Sequence, residues 1–172
     1  MVHIEALLHL YFQYESEFHK GNVVLFSIFY HDVVYVPGKG DNEYQSAVLA
    51  KRALEKLGVR PEMIKEVQHF IEATSQHKLR DDADPDLKLF IDFDLSILAA
   101  DQEVYKVYLI NVRREYNYLP TEQFAWGRGA FLRSMLSQEH IFYTKSFRAK
   151  EEDARKNMQW ELQMSPGIYS AL

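Results

Sequence analysis

"DLKLFIDFDLSILAA" runs from Asp86 to Ala100. Its reading decides whether this protein contains a sheet. Apolar and polar residues alternate from Leu87 to Asp94, as in a strand. Leu87, Phe90, Asp94, Ile97 and Leu98 also fall at helical spacing. A strand needs a partner strand to be stable, and nothing else in the chain reads as one. The stretch is therefore expected to be a helix, with Asp84 as its cap and Pro85 at its first position.

Helical spacing recurs outward from this segment. Ile4, Leu7, Leu8, Tyr11 and Phe12 form one face of a first helix over Ile4–Phe18. Val23–Val34 is apolar nearly all round, which predicts a helix at the centre of the fold. "VPGKGDN", Val36–Asn42, reads as a loop. Asp41 or Asn42 can cap the next helix, with Gln45 as the partner in a capping box. That helix carries Ala47, Ala50, Ala53, Leu54 and Leu57 and stops at Gly58. Pro61 starts another, with Ile64, Val67, Phe70 and Ile71 on one side. Downstream, Asp101–Tyr116 is a helix with Val104, Tyr105, Tyr108 and Val112 inward. Pro120–Leu136 and Lys150–Met164 follow. Gly127 and Gly129 interrupt the second of these three, where close helix packing is expected to offset their cost of about 0.8–1.0 kcal/mol each. The sum is an all-α fold of roughly seven helices, arranged as one domain over residues 1–172.

Composition excludes several classes. With 172 residues, 47% of them hydrophobic, the chain can bury a sizeable core and is not a disordered one. Its net charge of -5 and lack of a basic block argue against broad nucleic-acid binding, but a small phosphorylated substrate or nucleotide remains compatible with a local basic site. The absence of cysteine removes disulfides and thiol catalysis and fits a reducing compartment. Val23–Tyr30 is too short an apolar run to span a bilayer. "MVHIEALLHLYFQYE" has no signal-peptide character. The expected setting is the cytoplasm, without a membrane partner.

The chemistry concentrates in "IFYHDVVY", Ile28–Tyr35. A carboxylate in such an apolar run is costly unless it is paired. Asp92 and Asp94 raise the same question in the segment quoted first. Together with His31, Asp32 and the imidazoles of His3 and His77, they form a set whose needs a divalent metal would meet at once. Mixed imidazole and carboxylate donors suit Mn²⁺, Fe²⁺, Co²⁺, Ni²⁺ or Zn²⁺, and oxygen-rich versions suit Mn²⁺ or Mg²⁺. The alternative for Asp94 is an ion pair with an arginine such as Arg113 or Arg128. Glu43 either faces the site or belongs to an ordinary first helical turn. His77 either serves the site or interacts with a helix end, and Lys39 is either a solvated loop tip or a phosphate contact.

Five segments carry a family resemblance: "FYHDVVYVPGKGDNEYQSA" (Phe29–Ala47), "IEATSQH" (Ile71–His77), "FIDFDLSIL" (Phe90–Leu98), "VYKVYLINVRREY" (Val104–Tyr116) and "ARKNMQWEL" (Ala154–Leu162). In this order they resemble a small subfamily of the metal-dependent phosphohydrolases of the HD superfamily, with its His-Asp-Val-Val-Tyr and Asp-Asn-Glu-x-x-Ser-Ala elements. The resemblance implies an HD-like helical bundle and a metal held by an upstream His, the His-Asp pair and a later Asp. The pair maps onto His31 and Asp32. The later Asp maps onto Asp94, with Asp92 as second choice. Glu43 and His77 fall where further site residues stand, and would handle a proton, bind a second metal or support the ligands. Lys39 would meet the phosphate. The resemblance puts the first imidazole before Met1, because only the end of the family's N-terminal segment is present, at His3-Ile4. His3 is then a substitute ligand. The competing expectation is a non-catalytic binding or scaffold protein with a degenerate site.

Overall fold

The structure is a computed structural model that describes residues 2–170. Among the described residues there is no strand. Ten α-helices succeed one another: α1 (Val2–Gln13), α2 (Gly21–Tyr30), α3 (Asn42–Lys56), α4 (Pro61–Ala73), α5 (Pro85–Leu95), α6 (Gln102–Glu115), α7 (Thr121–Leu136), α8 (Lys145–Arg148), α9 (Glu151–Met164) and α10 (Gly167–Ser170). The all-α class holds, but the count exceeds seven. Two of the ten, α8 and α10, are four-residue turns too short to show a period. No helix among the described residues is long and apolar enough to cross a membrane. The chain divides into two compact units at Asp94 and Leu95.

The segment with the ambiguous period is helical to Leu95 and continues as a 3-10 turn from Ser96. Asp84 Oδ1 accepts the Asp86 N–H at 2.9 Å, as its capping role requires. The alternation misleads because Asp86, Leu87 and every residue from Leu89 to Phe93 are buried. A helix covered on nearly all sides loses its polar stripe, and with it the 3.6-residue signature.

The second apolar segment corrects the expectation made for it. α2 ends at Tyr30 rather than Val34, and Phe29, Val33, Tyr35 and Val36 are exposed. Only one side, Val23, Val24, Ser27 and Ile28, is buried. The start of α2 is fixed by chemistry rather than apolarity. The buried Asp86 carboxylate accepts the backbone N–H groups of His19 and Lys20, and Lys20 Nζ reaches Glu66 and Asp84. A Cβ on Gly21 would lie 3.0 Å from the Tyr11 hydroxyl, so glycine allows this approach of α1 to α2. α3 packs on α4 and stops at Gly58, whose φ of +70° suits glycine.

The second unit is built on Leu98, Tyr105, Leu109, Phe124, Leu132, Phe142, Phe147, Met158 and Tyr169, all buried. Asn157 on α9 donates to the carbonyls of Leu98 and Ala100, and Arg155 donates to those of Leu136, Gln138 and Glu139 at and beyond the end of α7. Val104, expected inward, is exposed. Nothing lies within 4 Å of a Cβ built on Gly127, so no close packing explains that glycine. At Gly129 the Arg133 guanidinium occupies the space, 3.1 Å from such a Cβ.

Candidate metal centre

His31 closes α2 as its C-terminal cap residue and is 1% exposed. Its Nδ1 lies 3.0 Å from the Ile28 carbonyl. A carbonyl only accepts, so Nδ1 carries a proton and it is Nε2 that is turned toward the cluster. This is how ligating histidines are commonly oriented.

Three other groups meet that nitrogen. His3, in the first turn of α1, brings its Nε2 to 3.1 Å. Asp32, next in the chain, places Oδ2 at 3.4 Å. Asp94, near the end of α5, places Oδ1 3.7 Å from His31 Nε2 and 3.1 Å from His3 Nε2. The donor atoms of His3, His31 and Asp32 lie within 4.8 Å of one another. Donors about 2.0–2.2 Å from a common ion are separated by roughly 3.0–3.5 Å, so this set fits a small divalent cation. Two imidazole nitrogens and two carboxylate oxygens also suit one chemically. The His31 and Asp94 side is buried, whereas the His3 and Asp32 side chains are 41% and 47% exposed. The cluster is therefore open to solvent on one side.

A fifth group stands behind Asp94. His77 follows α4, and its Nε2 lies 2.7 Å from Asp94 Oδ2. Burial would raise the Asp94 carboxyl, but hydrogen bonds from His3 and His77 and the charges of His31 and His77 hold it well below the usual carboxylate range. Burial likewise opposes charge on His3, yet its hydrogen bond to Asp94 and the charges of Asp94 and Asp32 raise its pKa above the ordinary histidine value.

Asp94 is thus engaged by imidazoles and not by arginine. Arg113 donates to the carbonyls of Tyr116 and Leu119, and Arg128 pairs with Glu161. Asp92 is buried in α5 and is not in the group formed by His3, His31 and Asp32. Glu43 is half-buried in the first turn of α3 and shares no hydrogen bond with the cluster among the described residues. Lys39 is exposed and lines an open cleft with Val34, Val36, Asn42 and Arg52 rather than the four-donor cluster.

Two polar residues emerge whose part was not legible in the spacing. Asn42 forms no capping box; its amide accepts the Val36 N–H and donates to the carbonyls of Val36 and Lys39. Ser46, one turn on, bonds both the N–H and the carbonyl of Val34. The Asn-x-x-x-Ser spacing on α3 thereby pins the segment that leaves His31-Asp32. Asn42→Ala is expected to cost about 1–3 kcal/mol by leaving these backbone groups unpaired, readable as a lower urea midpoint.

No protein-family model, curated protein or solved structure matches this chain.

Proposed function

We propose that this protein is a metal-dependent phosphohydrolase of the HD type, acting on a phosphomonoester or nucleotide. The observation that carries the reading is the mutual approach of the donor atoms of His3, His31 and Asp32, with Asp94 Oδ1 close to both imidazoles. Their order along the chain is an upstream His, a His-Asp pair and a later Asp. Mn²⁺, Fe²⁺, Co²⁺, Ni²⁺ and Zn²⁺ fit the mixed donors better than Mg²⁺, which prefers oxygen. A divalent ion so held supplies Lewis acidity toward a phosphoryl oxygen and acidifies water at neutral pH.

The protein's own groups divide the remaining work. His31, fixed through Nδ1, orients one donor, and Asp94 brings a compensating negative charge from the buried side. The solvent-facing side, at His3 and Asp32, is where a substrate enters. Lys39 and Arg52, lining a cleft with Val34 and Asn42, offer positive charge to a phosphate. Glu43 and His77 are the candidate proton carriers, the second already engaged by Asp94. The alternative is a non-catalytic binding or scaffold protein with a degenerate site; the imidazole nitrogen that His3 brings to the cluster favours the enzyme.

The test is metal content and turnover together. Chain stripped of metal and reloaded with Mn²⁺, Co²⁺, Ni²⁺ or Zn²⁺ is expected to retain about one equivalent after desalting. It should then release phosphate from members of a phosphomonoester and nucleotide panel only when loaded. Retention below a tenth of an equivalent with every metal would refute the reading. Full retention without turnover on any substrate would favour the binding-protein alternative.

A further inference from the structure

His77 has a backbone φ of +51° and is the one non-glycine residue at positive φ among the described residues. Glycine would hold that conformation without a Cβ clash, and few other residues adopt it. An imidazole placed there is strained, and strain of this kind gathers where a side chain has a task. The task is visible in the hydrogen bond from His77 to Asp94. His77 Nε2 sits 2.7 Å from Oδ2 of Asp94, while Oδ1 of the same carboxylate lies 3.1 Å from His3 Nε2 and 3.7 Å from His31 Nε2. One oxygen is taken by His77 and the other faces the cluster. The His77 side chain is 21% exposed and that of Asp94 12%, so water competes little for this bond.

We infer that His77 is a positioning residue, which holds Asp94 by Oδ2 so that Oδ1 alone is presented to His3 and His31. The left-handed backbone at residue 77 is what delivers the imidazole to Asp94. This rests on the metal reading proposed above and narrows it. His77 acts through Asp94 rather than on substrate, so the reaction's proton carrier is a different group.

The test uses the full chain, freed of metal, with Mn²⁺ affinity read from the electron paramagnetic resonance signal of the free ion. A second reading is the visible absorption of the Co²⁺-loaded form. His77→Gly removes both the imidazole and the backbone strain. It is expected to melt within a few degrees of the wild-type temperature, relief of strain offsetting the lost bond to Asp94, yet to bind Mn²⁺ about 10–100-fold more weakly, as loss of a partner behind a ligand does. Its Co²⁺ bands should shift. His77→Gln, whose amide N–H reaches about as far as Nε2, should recover most of the affinity and the wild-type bands while keeping the backbone strain. Wild-type affinity in His77→Gly would overturn the inference. So would a His77→Gln variant as weak as His77→Gly, or a collapse of melting temperature in His77→Gly matching its loss of affinity. Failure of the wild-type chain itself to bind Mn²⁺ is a separate outcome, which overturns the metal reading and this inference with it.

Discussion

Asp94→Ala is expected to yield a folded chain whose Mn²⁺ affinity falls by more than about 100-fold, beyond the range for losing an outer partner such as His77. Asp94 is the largely buried anion of the cluster. Its removal leaves His3, His31 and His77 grouped around one negative charge fewer. Equilibrium dialysis against Mn²⁺ reads the effect directly, and affinity within a few fold of wild type would remove Asp94 from the ligand set. The metal-free protein carries a second signature. The Asp94 pKa lies well below its usual 3.8, so its contribution is present above about that pH and lost as pH falls. The His3 pKa is raised above 6.5, so its contribution is present below that value and lost as pH rises through its folded pKa. Both depend on Asp94. The stability difference between wild type and Asp94→Ala, taken from urea midpoints, should therefore be largest between about pH 4 and 6.5 and shrink on either side.

Sequence period was enough for helices with one buried face, such as α4, where Ile64, Val67, Phe70 and Ile71 are buried as expected. It weakened where burial departs from one stripe. α5 is covered nearly all round and reads as a strand or a helix; α2 is apolar throughout but buried on one side only. Apolar residues left in water, such as Phe29 and Val33, carry no mark in the sequence that separates them from core. Within the candidate site, His31 and Asp32 stood out because they interrupt an apolar run. His3 was expected only as a substitute ligand, and it is the approach of α1 to α2 that brings its Nε2 to 3.1 Å from that of His31. The partnership of His77 with Asp94 depends on a left-handed residue whose φ no periodicity encodes. Asn42 looked like a helix cap because asparagine is good at both tasks, capping and loop closure. Arg128 was a plausible partner for Asp94 by charge alone. Its actual partner, Glu161, lies on α9 at helical spacing with the buried Ala154, Asn157 and Met158.

Glu161→Gln is expected to destabilise the protein by about 3–5 kcal/mol, because it strands a buried arginine. Glu161 is 0% exposed and the Arg128 side chain 8%. Arg128 Nε donates to Oε1 at 2.8 Å and Nη2 to Oε2 at 3.2 Å, a two-pronged pair. The hydroxyls of Tyr169 and Tyr105 donate to Oε1 and Oε2, and Arg128 Nη1 donates to the Tyr108 hydroxyl. Burial, reinforced by the Glu161 charge, raises both tyrosine donors above their usual pKa, so they remain protonated. A glutamine has the same shape, but its amide nitrogen turns a donor toward groups that themselves donate. Arg128 cannot shed its charge to relieve this, since a guanidinium stays protonated in proteins. At about 2–4 °C per kcal/mol for a chain of this length, the melting temperature should fall by roughly 6–20 °C in differential scanning calorimetry. Mn²⁺ uptake below that transition should persist, because His3, His31, Asp32 and Asp94 all belong to the unit ending at Asp94. Glu161→Leu combined with Arg128→Met removes both charges and should recover much of the loss, as buried ion pairs replaced by apolar residues commonly do. A double variant no better than Glu161→Gln would mean that the tyrosine hydroxyls, left without their acceptor, carry the larger share of the cost.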